Sequence, residues 1–398
     1  MPNGLHRNAP HVRQQESRSL HIADLETPCL LLDVERLDAN QARMAGHLVE
    51  LGVSFRPHMK TAKSIDVARR IMPPEAKGAR ITVSTLKEAD YFASHGYRDI
   101  LYAVGIAPGK LGHAAQLVRQ GVDLVLTLDN LEAARQLVEH SRDLGVSFRV
   151  VVEIDSDGHR SGVKPGDPLL VEIARTLKAS LGCRPVGVMT HAGESYNCGS
   201  IDEIRAMAER ERAAVAHSAR LLAKAGFQPE IVSVGSTPTA TFAERLDGVT
   251  EVRAGVYMFQ DLVMAGLGVC QPEDIALTVL TTVIGHQRDK GWIITDGGWM
   301  AMSRDRGTAR QAVDCGYGRV ADRTGRLLDD LIVADANQEH GIVRRRQGGP
   351  LDIERFPVGT LLRVLPNHAC ATAAQYDRYH VLEGGREVVA EWPRINGW

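Results

Sequence analysis

Three side chains could carry covalent or metal chemistry if the fold brings them together. Lys60 stands in "VSFRPHMKTAKS", Val53 to Ser64, where a short apolar run stops at an amine and a second cation, Lys63, follows. A desolvated lysine amine condenses with aldehydes, and as the free base it removes protons from carbon. A solvated strand end is the plainer alternative. In "RVLPNHACATAAQYDRYHVL", His368 and Cys370 lie two residues apart, so an extended backbone turns imidazole and thiol to one side and Ala369 to the other. That is half of a zinc site. The pair is a weak signal in isolation, and no CxxC or HExxH strengthens it.

Other groups suit an anionic or aromatic ligand. Gly235, Ser236 and Thr237 in "VGSTPTAT", with Tyr257 in "AGVYMFQD", offer backbone N–H groups and hydroxyls to a phosphate monoester. The same residues also make ordinary turns. Arg160 in "DSDGHRSGV" and His191 and Tyr196 in "THAGESYN" could contact or flank a cofactor ring, although a rim Arg or His is more often a surface ion pair. An amine beside a phosphate cup suggests pyridoxal phosphate. Arg304 and Arg306 in "MSRDRG" would suit a diacid, with solvated surface as their plain reading.

Elements must hold these groups at one place. From Val53 to about Tyr257, β-branched runs alternate with helical stretches, and eight runs start at Val53, Arg80, Asp99, Asp123, Phe148, Pro185, Glu230 and Glu251. Eight parallel strands close a TIM-type (β/α)8 barrel, whose functional groups sit on the loops at the strands' C-terminal ends. An open doubly wound sheet is the rival α/β arrangement. Ile204, Met207, Ala208, Val215, Ala219 and Leu222 recur at helical period and stop at Gly226. Before the barrel, "TPCLLLDVERLDANQARMAGHLVELG" predicts a strand and then a helix capped by Asp33, with Leu37, Met44, Leu48 and Leu51 buried, Gln41 as the polar interruption and Gly52 as the stop. Beyond Val263 the helical pattern fades into short runs parted by Gly, Asp and Asn, which predicts an antiparallel β domain. The division is a lead-in over 1–26, a barrel over 27–262 and a β domain over 263–398.

Bulk properties exclude some functions. The chain has 398 residues, 44% apolar and 24% charged, with net charge −2, so no basic excess invites nucleic acid. No apolar run reaches the roughly 18 residues of a membrane helix. Six cysteines without repeated spacing suggest a reducing, cytoplasmic setting.

Taken together, "TPCLLLDVERLDAN", "RPHMKTAKS", "DGHRSGV", "GSTPT", "YMFQD", "DGGWMAMSRD", "EHG" and "PNHACAT" resemble the D-serine dehydratase and D-threonine aldolase group, within the alanine racemase-like, fold type III pyridoxal phosphate enzymes. The likeness is ordered along the chain from about Thr27 to Trp392. It implies that Lys60 carries the cofactor as a Schiff base and that His368 and Cys370 hold a divalent metal, Zn²⁺ or another such as Mn²⁺. D-serine and D-threo-3-hydroxyaspartate dehydratases resemble this chain in having Cys at the second metal position, where D-threonine aldolases typically carry Asp. Ala62 departs from the polar or basic residue often seen there. The resemblance implies a homodimer that eliminates water from a small 3-hydroxy D-amino acid to give a 2-oxo acid and ammonia. Rival readings are a metal-activated D-threonine aldolase giving glycine and an aldehyde, a pyridoxal phosphate-binding homeostasis protein, and a racemase, which would need a second base and no metal.

Overall fold

The computed structural model describes residues 20–398. Most of the lead-in expected over 1–26 lies outside them, and at Leu20 the chain is already paired, with Leu20–His21 antiparallel to Glu387–Val388.

Eight parallel strands form the first sheet: Ser54–Phe55, Arg80–Val83, Asp99–Gly105, Asp123–Leu128, Phe148–Ile154, Cys183–Thr190, Ile231–Val234 and Glu251–Val252. From Arg80–Val83 onward each pairs with the next, and the last pairs with Ser54–Phe55 through Glu251↔Ser54 and Val252↔Phe55. A bridge between His58 and Thr82 joins the first to the second, so the ring closes. The two-residue side-chain period sorts the apolar residues. Leu101, Val125, Val151, Met189 and Ile231 cluster apart from the main core, while the alternate Tyr102, Leu124, Val150, Val188 and Val232 belong to the large cluster shared with the surrounding helices.

Those helices follow the predicted stripes. Val34–Glu50 starts where Asp33 Oδ1 accepts the Arg36 N–H at 3.1 Å, buries Leu37, Met44 and Leu48, and ends before Gly52 at φ +68°; Leu51, expected in the stripe, follows the last helical residue and is only half-buried. Gln41, the polar interruption, donates to the Ile71 carbonyl and accepts from the Tyr257 hydroxyl. Ile201–Lys224 buries Ile204, Met207, Val215 and Leu222.

The second sheet has ten strands, drawn from both ends of the chain. Leu277–Gln287, Trp292–Thr295, Gly341–Arg345, Leu327–Ala336, Arg319–Asp322 and Leu361–Leu365 pair antiparallel in that order, and the last returns to the first, so these six close on themselves. Cys29–Asp33, grouped with the barrel in the sequence division, lies in this sheet between Leu277–Gln287 and Arg378–Glu383. The chain therefore starts in the β domain, winds the barrel, and returns.

Three consecutive residues after Lys60 fasten the two bodies. Thr61 Oγ1 lies 3.2 Å from Cys370 Sγ, the Tyr379 hydroxyl donates to the Ala62 carbonyl at 2.6 Å, and the Ile395 N–H donates to the Lys63 carbonyl at 2.9 Å. Among the described residues, no helix is long and apolar enough to cross a membrane.

Candidate active site

A cavity of about 880 Å³ opens at the C-terminal ends of the barrel strands, with the β domain as its other wall. Lys60, Arg160, His191, Tyr196, Gly235, Ser236, Thr237, His368 and Cys370 all line it. Lys63 does not: its Nζ pairs with the buried Glu88 carboxylate at 3.2 Å. Lys60 has no ion-pair partner among the described residues.

Neutral imidazoles flank the amine. Burial, with the Lys60 charge next, pushes His191 down to about 3. Its Nδ1 donates to the Gly235 carbonyl at 2.6 Å, which leaves Nε2 as the lone-pair nitrogen. His58, which also lines the cavity, is pushed well down by burial and again by Lys60. It sits two residues before Lys60, so strand parity would have placed it on the same side.

The glycine-serine-threonine turn is shaped from below. Ser236 caps the short helix Thr237–Phe242. Glu211, buried on the helix Ile201–Lys224, accepts the N–H groups of Ala192 (3.0 Å) and Gly235 (2.9 Å) on Oε1 and the Thr239 hydroxyl (2.7 Å) on Oε2. Gly235 is required there: its φ is +149°, and a Cβ would lie 1.8 Å from the Arg253 carbonyl oxygen. Tyr257 is placed differently from the expectation. Its phenol is buried outside this cavity and donates to Gln41 Oε1 at 2.6 Å, and only its N–H meets the cup, donating to Thr237 Oγ1 at 3.2 Å. Strand pairing ends at Val252, and the Val256–Met258 turn carries the ring away from the rim.

The β-domain wall carries the other pair. The segment is not extended as expected. The strand ends at Leu365, His368 is the N-terminal flanking residue of the helix Ala369–Ala373, and Cys370 lies in its first turn. A tertiary contact turns the chain: the buried Asp261 takes the Ala369 N–H on Oδ2 at 2.9 Å. Imidazole and thiol still converge, and each changes the other's proton affinity. Burial works against charge on His368, but Cys370 and a 2.6 Å hydrogen bond from Nδ1 to Asp305 Oδ2 outweigh it and push the ring up to about 11. Burial raises the Cys370 thiol, and the His368 cation overcomes that, so the net shift is down. Asp305 could not be found from spacing, because it lies 63 residues from the ring it holds.

The residues fit both implied groups. The cavity has room for a pyridoxal-sized ligand and an amino acid, with an unpaired amine on one wall. An imidazole and a polarised thiol that share a proton are a donor set for a soft or borderline divalent ion, which would displace that proton. Among the described residues no three His, Cys, Asp or Glu side chains form a metal-holding group, so the metal reading rests on this pair. Both members line the cavity of their own chain's barrel.

Comparisons with known proteins agree in extent with this architecture. The family described as alanine racemase, N-terminal domain, matches residues 32–262, and that described as putative serine dehydratase domain matches residues 276–382. The chain is 54% identical to D-threo-3-hydroxyaspartate dehydratase of Delftia sp. (strain HT23), over 94% of this chain and 98% of that one. D-serine dehydratase of Dictyostelium discoideum is 29% identical over 95% of this chain and 98% of its own length. Two aldolases are each 27% identical: 3-hydroxy-D-aspartate aldolase of Paracoccus denitrificans, over 93% of this chain and 92% of that one, and D-threonine aldolase of Arthrobacter sp, over 92% and 91%. Among solved structures, a cysteine-to-alanine mutant of D-threo-3-hydroxyaspartate dehydratase described as being in the metal-free form superposes with a TM-score of 0.91 at 52% identity, covering 95% of this chain and all of that one.

Proposed function

This chain belongs to the serine dehydratase family built on an alanine racemase-type barrel, and from that premise we propose that it removes water from a 3-hydroxy D-amino acid, giving a 2-oxo acid and ammonia. D-threo-3-hydroxyaspartate and D-serine are the candidate substrates, read from the relatives' names. One contact carries the reading: Thr61, next to Lys60, lies 3.2 Å from Cys370, so amine and thiol address the same small volume.

Lys60 would hold pyridoxal phosphate through Nζ, with the phosphate toward Gly235, Ser236 and Thr237 and with Arg160, His191 and Tyr196 around the ring. Bound there, that cofactor supplies an electron sink for the Cα carbanion. His368 and Cys370 would hold the metal, zinc by the softness of thiolate and imidazole, and a bound divalent ion supplies Lewis acidity to the β-hydroxyl. The protein's residues do the rest. Once substrate has displaced it, Lys60 Nζ is a free base in the cavity and takes the Cα proton. His191 and His58, held neutral, put no competing acid beside that base. Asp305 fixes the His368 ring through Nδ1, so that its other nitrogen can face an ion. The unsaturated amine released then tautomerises and hydrolyses in water.

Incubation with D-threo-3-hydroxyaspartate, D-serine and D-threonine, scored for 2-oxo acid against glycine, tests the reading. A 2-oxo acid with ammonia is expected. Glycine and an aldehyde alone would make the chain an aldolase.

A further inference from the structure

D-threo-3-hydroxyaspartate brings a side-chain carboxylate that D-serine lacks, and some cation in the cavity has to answer it. The cationic side chains that line the cavity sort by what already occupies them. Arg253 is buried, donating from Nη2 to the Thr190 carbonyl at 2.5 Å and from Nη1 to Ser233 Oγ. Arg160 lies 3.6 Å from Glu153, and His368 is committed to Asp305. His58 and His191 are neutral, and Lys60 is reserved for the cofactor. The sequence offered Arg304 and Arg306 for a diacid, but neither lines the cavity. Arg304 lies over the Trp299 ring at 4.8 Å, and Arg306 lies over Tyr317 at 5.2 Å and pairs with Asp314 at 2.9 Å. Arg310 remains. It lines the cavity, is exposed, and has neither ion-pair nor hydrogen-bond partner among the described residues. The rim carboxylate of Glu194 feels the Arg310 charge as a minor influence, but it is held by His159 Nδ1 at 2.7 Å and Asn197 Nδ2 at 3.0 Å rather than by Arg310.

Substrate geometry adds a second constraint. In a 3-hydroxy diacid the hydroxyl and the extra carboxylate sit on the same carbon, so a hydroxyl directed to the His368 and Cys370 wall carries the carboxylate to that wall. Arg310 ends the turn Gly307–Arg310, which follows Asp305 directly on that wall. A guanidinium presents a planar fork that matches a carboxylate in two hydrogen bonds.

We propose that Arg310 receives the β-carboxylate of the substrate and makes a 3-hydroxy dicarboxylic D-amino acid the preferred substrate over D-serine. The assignment rests on the dehydratase reading above. The test compares holoenzyme and the variants Arg310→Ala, Arg310→Lys and Arg304→Ala on D-threo-3-hydroxyaspartate and D-serine, measuring 2-oxo acid and using the visible band of Lys60-bound cofactor to verify loading. The wild type should favour the diacid, and in Arg310→Ala the ratio of kcat/KM for diacid over D-serine should fall by about a hundredfold, mostly through KM. Arg310→Lys should recover part of that ratio, and Arg304→Ala should keep the wild-type value. An Arg310→Ala ratio within about twofold of wild type overturns the assignment, as does a wild type that prefers D-serine. Equal losses on both substrates overturn it too, placing Arg310 at the α-carboxylate. Absence of 2-oxo acid from either substrate is a different result, which removes the dehydratase reading and this assignment with it.

Discussion

Two histidines line one cavity in opposite states. On the barrel wall, His191 is held down at about 3 by burial and by the Lys60 charge. On the β-domain wall, His368 is half-buried, and there Cys370 and Asp305 outweigh the desolvation and hold it at about 11. Burial pushes both the same way, and the partners decide the outcome. In the proposed reaction, the barrel sets neutral imidazoles beside the lysine that exchanges a proton. The β domain supplies a pair in which each member favours the other's charged form, and in the proposed site a metal takes the place of the proton. Within one cavity, the two jobs are kept apart by what stands beside each imidazole.

Removing one wall's key group at a time tests that division. Lys60→Ala should have the largest effect: turnover falls about a thousandfold or more and the visible band is lost, while bound metal by elemental analysis stays at the wild-type level. Metal lost with the lysine would mean that the walls are not separable. Cys370→Ala, or prolonged chelation, should lower kcat by about a hundredfold or more and keep the visible band. Turnover that survives either treatment would remove the metal from the reaction. Asp305→Asn keeps both ligands and disturbs only the grip on Nδ1. Competition with a chromophoric chelator should then show metal bound about tenfold to a hundredfold more weakly. The smallest change is expected from Tyr257→Phe, which deletes the hydroxyl bonded to Gln41 and should cost about 1 kcal/mol in denaturant unfolding, with cofactor affinity unchanged. A fall in cofactor affinity would return the phenol to the phosphate cup.

The barrel was legible because its strands are continuous apolar runs with helical stripes between them, a local pattern that needs no knowledge of contacts. The runs at Asp99, Asp123 and Phe148 begin where the strands begin. Its seam was harder. The runs at Val53 and Glu251 pair over only two residues each, because beyond Phe55 and Val252 the chain bends into the loops that carry Lys60 and Tyr257. The parity rule that set His368 beside Cys370 reached a close pair on a mistaken premise, since the backbone there is helical. Asp305, Asp261 and Arg310 left no trace in spacing. Each acts through a neighbour far away in sequence or through its place on the rim, and such contacts exist only once the chain has folded. The pairing of Cys29–Asp33 with strands almost 250 and 350 residues later was hidden for the same reason.

The fastening of Thr61, Ala62 and Lys63 to Cys370, Tyr379 and Ile395 has a mechanical consequence. The three residues that follow Lys60 are joined to the far body through the Thr61 side chain and the Ala62 and Lys63 carbonyls, so a separation of the two bodies would drag that amine along. Arg160 and Arg310 are exposed among the residues that line the cavity, with Glu194 half-buried beside them. An incoming anionic substrate would meet those charges on a rim whose position is tied to the peptide that carries Lys60.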